Sequence, residues 1–166
     1  MSVADARDLA ESALRGVGFD DDEARIIADH VVDAALCGYE YSGLAKILNI
    51  LESEHFKLPR RPMKVLRETD VSLAFDGGNN VGMLSLFYAA EATIKKAAAH
   101  GIALISVTDA WMSGRSAYYV EMIANAGLVE PGVAGQTEDA GRYSLVLANP
   151  PSGPLPTLCR RLSLAD

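Results

Sequence analysis

The sequence predicts an α/β fold in which amino-terminal helices pack with a mixed sheet of short strands. Three observations lead to this prediction. Apolar residues recur with a period of about 3.6 in several segments before residue 101. Short runs rich in β-branched residues lie between and after the later helices. Glycines stand at the ends of most of these segments, where helices and strands commonly stop.

The first two helices are marked by capping residues at their starts. Ser2 and Asp5 form a capping-box pattern ahead of the first apolar stripe, which ends at Gly16. The acidic run Asp20 to Glu23 begins the second helix, where negative charge meets the positive end of the helix dipole. His30 lies beside the apolar stripe of this helix. It has no second ligand type four residues away, so we expect no metal role for it.

A short third helix is predicted over residues 44–51, with Ser42 as its N-cap and Lys46 in its first turn. The basic, proline-punctuated segment 55–62 follows it. We interpret this segment as a connection, since four basic residues in an acidic chain are too few for a nucleic-acid surface.

Two short strands are predicted next, around residues 65–66 and 71–75. The stretch Asp76-Gly-Gly-Asn-Asn80 is predicted to be a tight turn, and no lysine follows it at the spacing of a phosphate-binding P-loop. A long helix then runs from Met83 to His100, with Gly101 as its C-terminal cap.

The next segments are a strand, a loop and a helix in immediate succession. Residues 102–107 are almost wholly apolar, which predicts a strand buried on both faces. The loop 109–116 follows, and the helix after it has Ser116 as its predicted N-cap and Gly127 as its stop. Ligands commonly bind where such a loop leaves a buried strand. Only Gly114 is glycine in this loop, so no dinucleotide fingerprint is present, and an ordinary surface connection is the alternative.

We therefore divide the chain into three regions. Residues 1–61 form a helical amino-terminal region, 62–129 an α/β region with the strand, loop and helix, and 130–166 a tail rich in proline and glycine. One strand is predicted in the tail, from Tyr143 to Ala148. The remainder, from residue 149, has the composition of a linker.

Composition limits the partners and the compartment. The chain has 166 residues and a net charge of -7, which argues against binding nucleic acid or an anionic membrane. Its two cysteines, Cys37 and Cys159, have neither a disulfide framework nor metal-ligand spacing. No signal peptide or membrane span is evident. We expect a cytoplasmic protein.

Four strings of the sequence, in this order, resemble one known family. They are GYEYSGLAK, LAFDGGNNVG, HGIALISV and DAWMSGRSAYYVEMIANAGLV. Together they are similar to the malate/L-lactate dehydrogenase-like family of NAD(P)-dependent oxidoreductases, over about residues 5 to 129. The resemblance implies a non-Rossmann nicotinamide-type domain, a chain truncated relative to the family, and a homodimer.

The first family motif places the candidate catalytic residues. In the family it carries a histidine that acts as general acid/base and an arginine that holds the substrate carboxylate, and these positions are Ser42 and Lys46 here. A lysine still binds a carboxylate as a point charge, whereas an unassisted serine hydroxyl does not titrate near neutral pH. Tyr41, or Tyr39, is the candidate replacement as proton relay.

The second family motif places the candidate cofactor-binding residues near the nicotinamide of NAD or NADP. These are Asp109, Met112 and Gly114, with Met112 at the position of the family's second histidine. The alternative for Met112 and Trp111 is simple packing under the loop.

Two functions follow from the resemblance. The first is hydride transfer between NAD(P) and C2 of a small 2-hydroxy or 2-oxo acid. The second is a truncated or degenerate non-catalytic relative that keeps the fold and an oligomerisation surface. The loss of both motif histidines favours this second hypothesis.

Overall fold

The computed structural model describes residues 1–137 and 142–148, with side chains described through residue 129. In chain order its helices and strands are α1 (Val3–Gly16), α2 (Asp21–Leu36), α3 (Lys46–Glu52), β1 (Lys64–Glu68), β2 (Ser72–Val81), α4 (Gly82–His100), β3 (Ala103–Trp111), α5 (Ser116–Asn125), β4 (Val129–Thr137) and β5 (Arg142–Ala148). Two 3-10 turns, Glu40–Ser42 and Glu54–Lys57, flank α3.

The amino-terminal helices begin where the sequence predicts. Ser2 and Asp5 form the capping box of α1, and Asp20 and Glu23 form a second capping box at the start of α2. Each box satisfies backbone N–H groups that the first helical turn leaves unpaired. The apolar faces of the two helices then pack together in one core cluster with α3 and the end of β3.

The five strands form one mixed sheet, which confirms the predicted fold class. Its order is β1-β2-β3-β5-β4, with β2 and β3 parallel and the other neighbours antiparallel. Helix α4 connects the two parallel strands, and it ends at Gly101 as predicted, in the left-handed conformation. Helices α4 and α5 pack on the sheet in a second core cluster, which includes Leu86, Ile105, Val107 and Ile123.

The double glycine lies within β2 and forms a bulge, so the predicted tight turn is wrong. The parallel register pairs Asp76 with Thr108, and the next pair is Asn80 with Ala110. The extra residues of β2 are accommodated by left-handed backbone at Gly78 (φ +66°). Periodicity could not reveal the bulge, because the neighbouring strand that imposes it is distant in sequence.

Strand β3 is buried on one face only, which corrects the expectation that both are buried. Ala103, Ile105 and Val107 point towards the helices and are fully buried, whereas Leu104 is 47% exposed on the opposite face. An apolar run by itself does not distinguish these two cases.

The first part of the predicted tail belongs to the sheet. Strand β4 covers residues 129–137, and β5 confirms the strand predicted at Tyr143–Ala148. Residues 149–166, the predicted linker, lie outside the described residues. Within the described part of the chain, no helix has the length and apolar character needed to cross a membrane.

The bulge in β2 gives a stability prediction. A methyl group on Gly78 would lie 2.3 Å from the carbonyl oxygen of Arg61, and φ is +66°. Gly78→Ala should therefore lower the free energy of unfolding by about 2 kcal/mol or more. Gly16→Ala is the control: an added methyl meets no atom within 4 Å, and alanine should stabilise the end of α1 by up to about 1 kcal/mol. Urea denaturation of both variants measures the difference, and equal values would contradict the bulge geometry.

Candidate functional site

The first motif folds into a 3-10 turn that packs back on α2. Ser42 N–H donates to the Tyr39 carbonyl at 3.0 Å, and Gly43 lies so close to Ala35 that a methyl group there would be 3.1 Å from the Ala35 side chain. Helix α3 begins only at Lys46, and its N-cap, Ala45, makes no side-chain hydrogen bond. The prediction that Ser42 caps α3 is therefore wrong, because a separate turn intervenes.

Lys46 is a mostly buried residue whose ammonium group lies against an aromatic ring. Its side chain is only 8% exposed, and its Nζ lies 4.1 Å from the centroid of the Tyr41 ring. Within residues 1–129, no carboxylate forms an ion pair with it. The Tyr41 ring is itself 80% exposed, so the ammonium group lies at the edge of the solvent. An anion arriving from solvent could therefore bind beside Lys46.

The second motif combines left-handed backbone with an uncapped helix start. Asp109, Met112 and Gly114 have φ values of +52°, +58° and +71°. Such conformations cost on the order of 1 kcal/mol or more for residues other than glycine and concentrate at functional sites. Helix α5 starts at Ser116, with Arg115 as its N-cap and no side-chain cap. Ser116 was the predicted N-cap, so the helix begins one residue earlier than expected.

Three side chains of this loop make internal contacts. The Asp109 carboxylate accepts a hydrogen bond from Arg61 at 2.6 Å, and both side chains are about half exposed (48% and 52%). Trp111 is buried, and its indole N–H donates to the Asn79 carbonyl at 3.1 Å. Met112 packs against the core cluster that contains α2 and α3. Packing thus accounts for Trp111 and Met112, while Asp109 stays accessible to solvent.

His30 lies directly beneath this loop and contacts it. The sequence did not reveal this contact. Its ring is fully buried, and its Nε2 accepts a hydrogen bond from the Arg115 backbone N–H at 2.8 Å. The two residues are 85 positions apart. No local pattern could have connected them.

Arg115 ties the loop to two helices. Its guanidinium donates two hydrogen bonds to Glu121, at 3.1 and 2.9 Å, and a third to Asp33 of α2. These bonds to Glu121 and Asp33 raise the pKa of Arg115 above its usual value, so the side chain stays charged although it is buried.

The fold brings the two motifs together beside α2. Ile47 of α3 belongs to the same core cluster as Trp111 of the second motif. The Arg115 guanidinium also faces the Tyr39 ring, at 5.9 Å from its centroid. Residues of both motifs therefore meet at Tyr39 and Arg115.

This pairing of motifs on a mixed α/β sheet agrees with the comparison to known families. A family profile described as malate/L-lactate dehydrogenase matches residues 1–137. The chain belongs to the malate/L-lactate dehydrogenase family. The resemblance drawn from the sequence is thereby confirmed.

Relatives in this family are named as dehydrogenases of several hydroxy acids. Hydroxycarboxylate dehydrogenase B of Escherichia coli is 29% identical over 122 residues, which is 72% of this chain and 34% of the relative. L-sulfolactate dehydrogenase of Methanocaldococcus jannaschii is 27% identical over 125 residues, 73% of this chain and 36% of the relative. The chain spans about a third of the length of these curated relatives.

Solved structures support the fold. Malate dehydrogenase of Pyrococcus horikoshii superposes with a TM-score of 0.74 at 21% identity, over 89% of this chain and 50% of that chain. Malate dehydrogenase of Entamoeba histolytica gives 0.72 at 22% identity, over 78% and 37%.

The described residues fit part of the nicotinamide dinucleotide that the resemblance implies. Arg61 and Asp109 form a half-exposed pair, which offers donors to phosphate and an acceptor to sugar hydroxyls. The uncapped start of α5 adds backbone N–H groups. Met112 offers only an apolar side chain, so it adds no polar contact at this position.

The buried His30 predicts a pH dependence of stability. Burial and the positive charge of Arg115 lower the pKa of His30 to about 3. Between about pH 6.5 and that value the unfolded chain binds a proton that the folded chain does not. The free energy of unfolding should therefore fall, as pH falls through this range, by about 1.4 kcal/mol per pH unit from this group.

Urea denaturation at about pH 7, 6 and 5 tests this expectation. His30→Gln removes the titrating group and should flatten the dependence, whereas His100→Gln, at an exposed position, should leave it unchanged. Equal slopes for the wild type and His30→Gln would contradict a neutral buried imidazole.

Proposed function

We propose that this chain carries an oxidoreductase site that interconverts small 2-hydroxy and 2-oxo acids with NAD or NADP. The observation that carries the proposal is Lys46, whose side chain packs into the fold and whose ammonium group has no carboxylate partner among the described residues. It lies at the position that the resemblance to the family assigns to carboxylate binding. Names of relatives in this family, such as L-lactate dehydrogenase of Cupriavidus necator (28% identical), support the substrate class.

Lys46 binds the substrate carboxylate in this proposal. Its side chain is packed along most of its length and its ammonium group lies on the Tyr41 ring, so little side-chain freedom is lost when an anion binds. A lysine cannot make the two parallel bonds of an arginine. It therefore fixes the position of the carboxylate, while neighbouring groups must orient C2.

Tyr41 and Ser42 are the proposed groups for the C2 oxygen. Reduction of a 2-oxo acid needs a proton at this oxygen as hydride reaches C2, and oxidation needs the reverse. Tyr41 is 80% exposed, so its hydroxyl exchanges protons with water directly. The half-buried Ser42, next in the chain, contributes a hydrogen bond without titrating.

Asp109, Met112 and Gly114 line the proposed cofactor side of the site. When bound, the nicotinamide supplies or accepts the hydride. Asp109, held by Arg61, accepts hydrogen bonds from sugar hydroxyls. Met112 provides an apolar wall, and Gly114 lets the backbone turn into α5. The family resemblance further supports a homodimer, and the cysteine content supports a cytoplasmic location.

Lys46 can be tested with two substitutions of similar size. Lys46→Met removes the charge and should raise KM for a 2-oxo acid such as pyruvate by roughly 10- to 100-fold, the value of one lost charge-assisted hydrogen bond. Lys46→Arg keeps the charge and should retain most of the affinity. The control is Lys95→Ala, at an exposed position of α4. Steady-state kinetics on folded variants decide, and an unchanged KM in Lys46→Met removes the assignment.

Cofactor binding has a built-in reporter, because Trp111 is the single tryptophan of the chain and belongs to the candidate loop. Titration with NADH and with NADPH should quench its emission saturably, with a preference for one cofactor. Asp109→Asn should weaken binding of the preferred cofactor several-fold. A folded protein that gives no response at about 1 mM of either cofactor would overturn the cofactor assignment.

A further inference from the structure

We propose that His30 is a positioning residue that holds the candidate cofactor loop in its binding conformation through the Arg115 backbone N–H. The proposal rests on the cofactor role of this loop given above, and it adds a residue of α2 that lies in neither family motif. His30 acts through Arg115 and Gly114 and is not placed in contact with substrate or cofactor.

The close fit between the imidazole and Gly114 is the first argument. A methyl group on Gly114 would lie 2.2 Å from His30 Nε2, and the glycine has a φ of +71°. Both facts require the absence of a side chain. The loop backbone therefore lies directly on the imidazole. The ring sets the distance between the loop and α2.

The neighbouring aromatic residues fix the position of the ring. The ring centroids of Tyr118 and Tyr119 lie 4.6 and 5.4 Å from that of His30. The Tyr119 hydroxyl donates to the Ser113 carbonyl at 2.6 Å. Ser113 and Arg115 are thus held from below on either side of Gly114, by partners that pack against each other.

The hydrogen bond explains why this position carries a histidine. His30 Nε2 is an acceptor, so in the neutral ring the proton is on Nδ1. Nδ1 is buried and has no hydrogen-bond partner in the described part of the chain. If this position only needed to fill space in the core, an apolar side chain would stabilise the fold more, because it leaves no donor unpaired. The imidazole supplies one thing that an apolar residue lacks, an acceptor for the Arg115 N–H.

Release of this hydrogen bond would affect the residues proposed for cofactor binding. Asp109 and Met112 have left-handed backbone, which is strained for residues other than glycine and relaxes once it is not held. Arg115 is also the N-cap residue of α5. The direction in which α5 starts therefore depends on the same hydrogen bond. His30 therefore sets where Asp109 and the first N–H groups of α5 point.

The test compares His30→Leu with His30→Gln in the full chain. Leucine removes the acceptor, whereas the glutamine side-chain oxygen reaches the place of Nε2. We expect His30→Leu to speed exchange of the Arg115 amide hydrogen roughly tenfold, because the local opening free energy falls. The same variant should weaken NADH or NADPH binding, followed through Trp111, by a similar factor. His30→Gln should restore most of both.

Ile27→Val is the matched control, since Ile27 is also fully buried on α2 and belongs to the core cluster below the loop. It should lower global stability while leaving the Arg115 amide and the cofactor affinity unchanged. If Arg115 exchange in His30→Leu matches that of Ile27→Val, the positioning role is wrong.

The wild-type protein gives an independent measurement if His30→Leu does not fold. Nuclear magnetic resonance should show an unprotonated Nε2 with a scalar coupling across the hydrogen bond to the Arg115 amide, and a protonated Nε2 would overturn the proposal. A wild type that binds neither cofactor refutes the proposed function instead. In that case the Arg115 amide still decides whether His30 holds the loop.

Discussion

Burial of one face of α2 is the constraint on which both candidate motifs depend. Ile27 and Val31 join α3, Trp111 and the end of β2 in a single apolar cluster, and each such side chain stabilises the fold by roughly 1.5–3 kcal/mol. The same helix supplies His30 to the second motif. Both motifs therefore pack against helix α2. Displacing this helix would separate Lys46 of the first motif from the loop of the second.

The two motif positions differ chemically from the family pattern, whereas the fold is that of the family. Neither position of the two motif histidines carries a titrating side chain, since they are Ser42 and Met112. The fold places a mostly buried lysine, Lys46, beside Tyr41 and a polar pair, Arg61 and Asp109, at the loop. In the proposed function, these charges bind an anionic substrate and a polar cofactor. The proton-transfer role proposed for Tyr41 rests on its position beside Lys46.

Local signals predicted the elements whose ends are set by neighbouring residues. The capping box of Ser2 and Asp5, the left-handed Gly101 after α4 and the β5 strand all follow from contacts or patterns within a few residues. The bulge at Gly78 and the single buried face of β3 depend on which strand or helix lies opposite. These two features could not be predicted from the sequence. The pattern shows which residues are apolar, but it does not show which strand or helix packs against them.

By itself, the sequence determined the α/β class, the family and the residues at the two motif positions, since periodicity, caps and motif order are local properties of the chain. Only the tertiary structure decided that Lys46 is buried against Tyr41 and that His30 accepts a hydrogen bond from the Arg115 N–H. Burial and long-range hydrogen bonds depend on how helices and strands pack. The hydrogen bond from Arg115 to His30 joins the loop to α2, which is far from it in sequence.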